Sequence, residues 1–504
     1  MPPSELTPTV QVDPRPAETD RRRPLRLPWW VTVLDVAAGL HVAAALSVAI
    51  FGGFRARVLV MISAHSSVRL LIITAVLVAV RHYFHRAPSL IARISRAATL
   101  FGNAESVRVI APAFLWNRAA VLLTAYLAVV TVGYPTEIRF HVSANEFANL
   151  PARWDAGWYL GIAQHGYRYD SRIKGQQNVA FFPAFPMAMR TTAVFLGGSV
   201  NDLQARSGNA MRILWTGVAV SLLAFAAALG YLYRMVRAFA GREAATASIQ
   251  FALAYPVAFF FNAPYTEGLF VLTAIAAFYH FGRGQLGAAA AWGTLAGLTR
   301  PNGFILSAPL LAMAVARAGV LPRLGSIIDR LNRFPEARPR VLADVAVAMT
   351  PVAGMLAFSG FLYATWGDPF LWTKLHAAWG RTYQGLEPAL GPIEALQEFG
   401  LYGYTSIAGM EVLHVLFFLV AVGLSVPIAF RLGLAYTAFI LLTVVPPLLV
   451  GGWLSMARVT VVLFPIYAYL GVAVPAAHRI PLMMVFMVLQ GLGTVLFFTW
   501  RQFY

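Results

Sequence analysis

The chain has 504 residues, of which 59% are hydrophobic and only 12% charged, with a mean hydropathy of +0.66; this balance excludes a soluble globular domain and predicts a polytopic membrane protein. Its formal net charge of +18 rests almost wholly on arginine, since lysine stands only at Lys174 and Lys374. The arginines lie in short loops between apolar runs rather than along one stripe, which fits membrane orientation and argues against nucleic-acid binding. Without cysteine there is no disulfide framework, thiolate metal site or cysteine nucleophile. The arginine bias points to a GC-rich bacterial source.

In chain order, residues 1–28 are rich in Pro, Arg, Asp and Thr and read as a disordered basic cytoplasmic tail with Arg21, Arg22, Arg23 and Arg26 just ahead of the first span. Trp30 to Phe51 is long enough to cross a hydrocarbon core of roughly 30 Å. With a second span at 67–83 and a basic loop, residues 29–110 form two extra N-terminal spans. The core is predicted over 111–504, with spans near 111–133, 209–233, 244–261, 266–281, 286–299, 303–318, 341–363, 410–430, 433–450, 458–475 and 481–499. The expected fold is therefore an all-α bundle of about 11–13 transmembrane helices. Arginines of the tail and of the 81–110, 234–242 and 317–340 loops place those segments in the cytoplasm. Three spans then precede Asp155, which faces the outside. A full crossing by 180–198 would put two basic loops outside, so this segment reads as a juxtamembrane or re-entrant helix broken near Pro183 and Pro186.

Two long outer segments remain, about 134–208 including that helix and about 364–409. In the first, "RWDAGWYLGIAQHGY" sets Asp155, Tyr159 and Ile162 on one helical face, with Trp154 and Trp158 close by and Gly166 in place to end the helix. It predicts a surface helix. Asp155 either caps that helix among interfacial tryptophans or acts as a base. Beside Arg153 and a helix N-terminus it stays ionised at neutral pH, which makes it a weak base. Such a base suits a reaction in which leaving-group departure runs ahead of proton removal, as at an oxocarbenium-like sugar centre. Tyr265 and Glu267 in "NAPYTEG" form either a helix cap or a hydroxyl-binding or second acidic group. Arg300 in "TRPNG" and Arg458 either snorkel or donate to a phosphate. The stretch 365–383, with Lys374, His376 and Arg381, is either a solvated loop or an acceptor- or phosphate-facing outer helix. The intramembrane Asp35 and His41 pair with each other or with neighbouring helices. The histidines show no metal-ligand spacing, and neither a Walker loop nor a GxSxG elbow is present, so no metal or cofactor is expected.

Five blocks in order, "RWDAGWYLGIAQHGY", "NVAFFPAFP" at 178–186, "FNAPYTEGLF" at 261–270, "LAGLTRPNGFIL" at 295–306 and "SMARVTVVLFPIYAYLG" at 455–471, resemble those of the PIG-V-like mannosyltransferases of the GT-C superfamily. The resemblance implies a GT-C-like bundle that transfers a sugar, mannose by default, from a polyprenyl-phosphate donor to a glycan, glycolipid or protein acceptor outside the cytoplasm, with inversion. For a bacterial chain this means the periplasmic side of the inner membrane. It makes Asp155, flanked by Trp154 and Ala156 as in the family motif, the catalytic carboxylate acting as general base; Arg153, Trp154, Trp158, Tyr159, Tyr265, Glu267, Arg300 and Arg458 are then the candidates for binding the substrates. The competing class is a transporter or flippase, which would concentrate its ionisable residues near the bilayer midplane rather than at outer span ends.

Overall fold

The computed structural model describes residues 28–51, 54–57, 61–64, 67–86, 89–90, 104–135, 140–196, 207–318 and 341–501. All of the predicted tail but Pro28, half of the 81–110 loop and nearly all of the basic 317–340 loop therefore lie outside the described residues. Helices dominate. One departure from an all-α fold is a short antiparallel hairpin, Phe54–Arg57 with Met61–Ala64, between the first two helices.

Among the described residues, five helices are long and apolar enough to cross a membrane, or six if the bent pair Val341–Ala348 and Thr350–Trp366 is one span. This is fewer than the eleven to thirteen expected, and the cause is local. Several predicted spans are apolar but short or interrupted, such as Glu267–Gly282, Leu286–Thr299 and Phe464–Ala473. The predicted pair 209–233 and 244–261 becomes one assigned helix, Ser207–Ala254, broken at Gly241 with φ 84°. That left-handed residue reverses the chain. Glu105, which opens Glu105–Thr131, is held by Arg237 and Arg242 from both sides of the break and by the Tyr233 hydroxyl. Beyond the reversal the segment climbs beside Glu105–Thr131 as far as Pro256, where helical bonding stops.

The break frees carbonyls inside an apolar bundle, where each needs a donor. Buried Arg118 donates to Leu253 O (2.9 Å) and Ala258 O (2.7 Å), and Gln490 Nε2 donates to Leu253 O (2.8 Å) and Tyr255 O (2.9 Å). A polar patch thus closes the gap, and the chain continues through the 3-10 turn Ala258–Asn262 to Tyr265.

A second device sets Arg300. Gly293 and Gly297 lie four apart on Leu286–Thr299, and Gly354 faces them from Thr350–Trp366. A Cβ on Gly297 would sit 1.9 Å from Pro351 O, and one on Gly354 would sit 2.2 Å from Thr294 O. The two backbones therefore touch, as small residues allow in a membrane. This contact fixes the helix end from which Arg300 emerges.

The helix Ala184–Phe195 begins after Pro183, as its prolines predict. At about 1.5 Å per residue it spans too little to cross a bilayer core. Phe185, Met189 and Ala193 are buried against the bundle. Asp35 pairs with Arg81 of the neighbouring helix Ser67–Phe84 at 3.1 Å, whereas His41 turns back to its own backbone at Ala37 O.

Candidate active site

The segment 140–196 carries the helix that the sequence predicts: Ala156–His165, ended by Gly166 at φ 77°. Asp155 occupies its N-cap position, yet its side chain makes no capping bond. The carboxylate instead points to Arg458, with Oδ2 2.8 Å from Nη1. The same guanidinium donates Nε to Glu267 Oε1 at 2.7 Å, and Arg300 Nη2 approaches that oxygen at 3.5 Å. Four residues from four regions of the chain thus meet at one end of the bundle.

Burial is graded across this cluster. The Glu267 side chain is 0% exposed, Arg458 10% and Asp155 23%. The inner carboxylate anchors Arg458, and the outer one opens toward whatever enters. Arg458 also lies over the rings of Tyr265 (4.4 Å) and Phe260 (5.3 Å), and Arg300 over Phe270 (5.4 Å). Such stacking suits a planar cation better than an ammonium.

Arg381, from the stretch 365–383, stands near the group. Its Nη2 donates to Leu454 O at 2.9 Å, and burial together with the nearby Arg458 lowers its pKa to about 10. Three guanidiniums face two carboxylates, leaving one positive charge in excess. Arg300 Nη1 is buried without a hydrogen-bond partner. A buried cationic N–H of this kind is costly unless an anion completes it.

Arg153 behaves differently from its sequence expectation. It does not face the Asp155 carboxylate. Its guanidinium is fully buried and donates to Phe498 O (2.7 Å), Asn149 O (2.8 Å), Ala152 O (2.9 Å) and the Tyr134 hydroxyl (2.9 Å). The reason is geometric: the turn before the helix places Trp154 at φ 47°, so successive side chains at 153 and 155 diverge. Arg153 is a structural pin between the first outer segment and the end of Ala476–Phe498. Arg458 is the cation that Asp155 meets.

The aromatics singled out from the sequence pack around the turn and helix that carry Asp155. Tyr265 Oη accepts the Asp155 N–H (3.1 Å) and donates to Arg153 O (3.2 Å), which holds the backbone under the carboxylate. Tyr159 is buried against Tyr265, Phe181 and Phe185. Trp154 donates Nε1 to Phe497 O and packs on Trp500. Trp158 stacks on Phe181 and meets Trp379 edge-on, linking the two outer segments.

Three contributors were not singled out from the sequence. Phe260 lay within an unbroken apolar run. Ser455, at φ 62°, turns the chain so that Arg458 points inward. His414 accepts the Ala457 N–H at 3.1 Å and steadies the same turn; a histidine in a predicted span was the available signal for it. The stretch 365–383 is more than a solvated loop: its helix Leu371–Leu375 buries Trp372 against Phe182. Lys174 and Lys374 line a common cavity of about 520 Å³, and Lys374 pairs with Asp368.

Fold and site define a helical integral membrane protein in which Asp155, Glu267, Arg300 and Arg458 gather at one end of the bundle beside a set of aromatic rings. Residues 112–318 match the family model described as Mannosyltransferase (PIG-V). Over 154 residues the chain is 33% identical to GPI alpha-1,6-mannosyltransferase 2 of Mus musculus, covering 31% of this chain and 29% of that protein. It is 29% identical over 165 residues to the Homo sapiens protein of the same name, with the same coverage. The match thus spans less than a third of the length of these curated relatives. Among solved structures, an oligosaccharyltransferase from Archaeoglobus fulgidus in complex with an inhibitory peptide and a dolichol-phosphate is similar at a TM-score of 0.38 and 12% identity, over 75% of this chain and 56% of that one. The segment 112–318 carries the PIG-V mannosyltransferase pattern that the ordered blocks imply. The fifth block lies beyond the matched segment, and the structure brings its Arg458 to Asp155.

Proposed function

We propose that the chain is a membrane glycosyltransferase of GT-C type that moves a sugar, mannose, from a polyprenyl-phosphate donor to an acceptor hydroxyl on the non-cytoplasmic side, with inversion and with Asp155 as general base. The observation that carries this reading is the Asp155 carboxylate, released from helix capping and held beside an arginine cluster with one excess positive charge. The PIG-V match over the first four blocks supports the sugar and reaction class.

In this mechanism the acceptor oxygen attacks the anomeric carbon from the face opposite the phosphate. The bond from that carbon to the phosphate oxygen breaks, its electron pair leaving with the phosphate. The acceptor proton passes to Asp155. A carboxylate within reach of the acceptor hydroxyl suits late proton removal from an oxygen already bonding to an oxocarbenium-like centre. Arg300, with its unpartnered Nη1, and Arg458 neutralise the leaving phosphate. Glu267 holds Arg458 in place. Trp158 and Tyr159 wall the sugar, and Trp154, Tyr265 and Arg153 fix the backbone that carries Asp155. The active site faces the periplasm of a bacterial inner membrane.

The test is reconstitution of the full chain with a panel of polyprenyl-phosphate sugars. Asp155→Asn should lower transfer by about 10²–10⁴-fold, the usual worth of a general base. An undiminished rate in that variant would remove Asp155 from the role. Absence of transfer from every donor by the wild type, with movement of a lipid-linked sugar across the bilayer, would favour a flippase.

A further inference from the structure

Behind the turn that carries Arg458 lies a second, largely open cavity, of about 620 Å³. Its principal lining residues are Gln384, Glu387, Met410, Glu411, His414 and Trp453. Both glutamates come from the assigned helix Glu387–Arg431, and two breaks bring them to the same space: Gly400 at φ 64° and Ala408 at φ −131°. Without those breaks they would lie far apart along one straight axis.

The walls are fixed. Trp453 Nε1 donates to Pro388 O at 2.7 Å, and Phe418 packs edge-on against its ring, so the indole is held as a rigid surface. The Tyr404 hydroxyl donates to Glu411 Oε1 at 2.7 Å, which orients that carboxylate. His414 joins the floor of the cavity to the Ala457 N–H, next to Arg458. Leu454, which also lines the cavity, accepts from Arg381 on its carbonyl. The cavity and the arginine cluster are thus two sides of one turn, 452–458.

Their chemistry is opposite. The arginine cluster has a positive excess, whereas the cavity is lined by two carboxylates and an amide with no lysine or arginine. Carboxylates without a cation repel phosphate and accept hydrogen bonds from hydroxyls, and an immobilised indole packs against the C–H face of a sugar ring. We infer that this cavity is the distal part of the acceptor subsite and takes a neutral, hydroxyl-rich sugar ring of the acceptor remote from its attacking hydroxyl, while the anionic donor is held on the arginine side. The inference rests on the glycosyl-transfer reading above.

The experiment uses the purified full chain in lipid nanodiscs and three small probes: methyl α-mannopyranoside, glucosamine and glucose 6-phosphate. Binding is measured by saturation-transfer NMR for the wild type, Glu387→Gln, Glu411→Gln and Trp453→Ala, each compared by thermal unfolding. The neutral glycoside should bind the wild type and weaken by at least about tenfold in Trp453→Ala, with a smaller loss in each glutamine variant. The phosphate probe should not bind. Neutral-glycoside binding unchanged in all three variants, or binding only of the amine or of the phosphate, overturns the assignment. The near-isosteric glutamine variants decide the matter if Trp453→Ala does not fold. Kinetics separate the two readings. A chain that binds the glycoside in this way but transfers nothing from any polyprenyl donor refutes the transfer reading alone. A chain that transfers, with an acceptor KM indifferent to Glu411→Gln and Trp453→Ala, refutes the subsite alone.

Discussion

Asp155 was legible in the sequence as an acid among tryptophans, but its partner was not. The nearest cation along the chain, Arg153, is turned into the protein by the left-handed Trp154, and the true partner comes from 303 positions away. Residue order cannot reveal which way a strained turn aims its side chains. The same limit hid the hierarchy of the two acids. Glu267 is the buried one, so Glu267→Gln should loosen Arg458 and raise donor KM while leaving some turnover; an unchanged KM would remove Glu267 from that role. Breaking a buried ion pair costs about 3–5 kcal/mol, so the variant should also unfold at a lower temperature. Arg153→Ala should act on stability first, because three carbonyls and a tyrosine hydroxyl lose their donor at roughly 1–3 kcal/mol for each group left unsatisfied. A normal unfolding temperature in Arg153→Ala would contradict its role as a pin.

The helices were largely legible as apolar runs, and their breaks were not. Pattern reading finds the runs at 286–299 and 341–363 but not that Gly297 touches Pro351 O, since contact between elements is written in neither one alone. Gly297→Leu should therefore force the two helices apart and displace Arg300, lowering folded yield and transfer together; wild-type levels of both would show that the crossing can relax. The second outer segment adds a dependence on acidity. Burial and the neighbouring Arg381 lower the pKa of His376 from 6.5 to about 4. A depressed folded-state pKa means that the unfolded segment binds protons first. The His376 contribution to docking is then complete above about pH 6.5 and is lost progressively as the pH falls toward 4. Hydrogen exchange across 368–384 should accelerate from pH 7 to pH 5, after correction for intrinsic rates, in the wild type and not in His376→Gln. Equal behaviour of the two proteins would exclude the histidine as the cause.

At the scale of the whole molecule, charge bookkeeping and structure agree on which ends of the helices belong together. Glu105, Arg237 and Arg242 share one end, and Asp155, Glu267, Arg300 and Arg458 share the other. Tags inserted in 317–340 and in 376–386 should accordingly report from opposite sides of the membrane, and a common side would reverse the topology. The count of spans was less legible, because hydropathy registers total apolar length and not the glycine and proline positions at which a run stops being one rod. One further consequence follows from the scarcity of lysine. The only two ε-amines of the chain, one in each outer segment, border the same cavity. A short amine-reactive bifunctional reagent should staple those two segments to each other and leave the arginine guanidiniums unmodified, a covalent check on the spacing of Lys174 and Lys374.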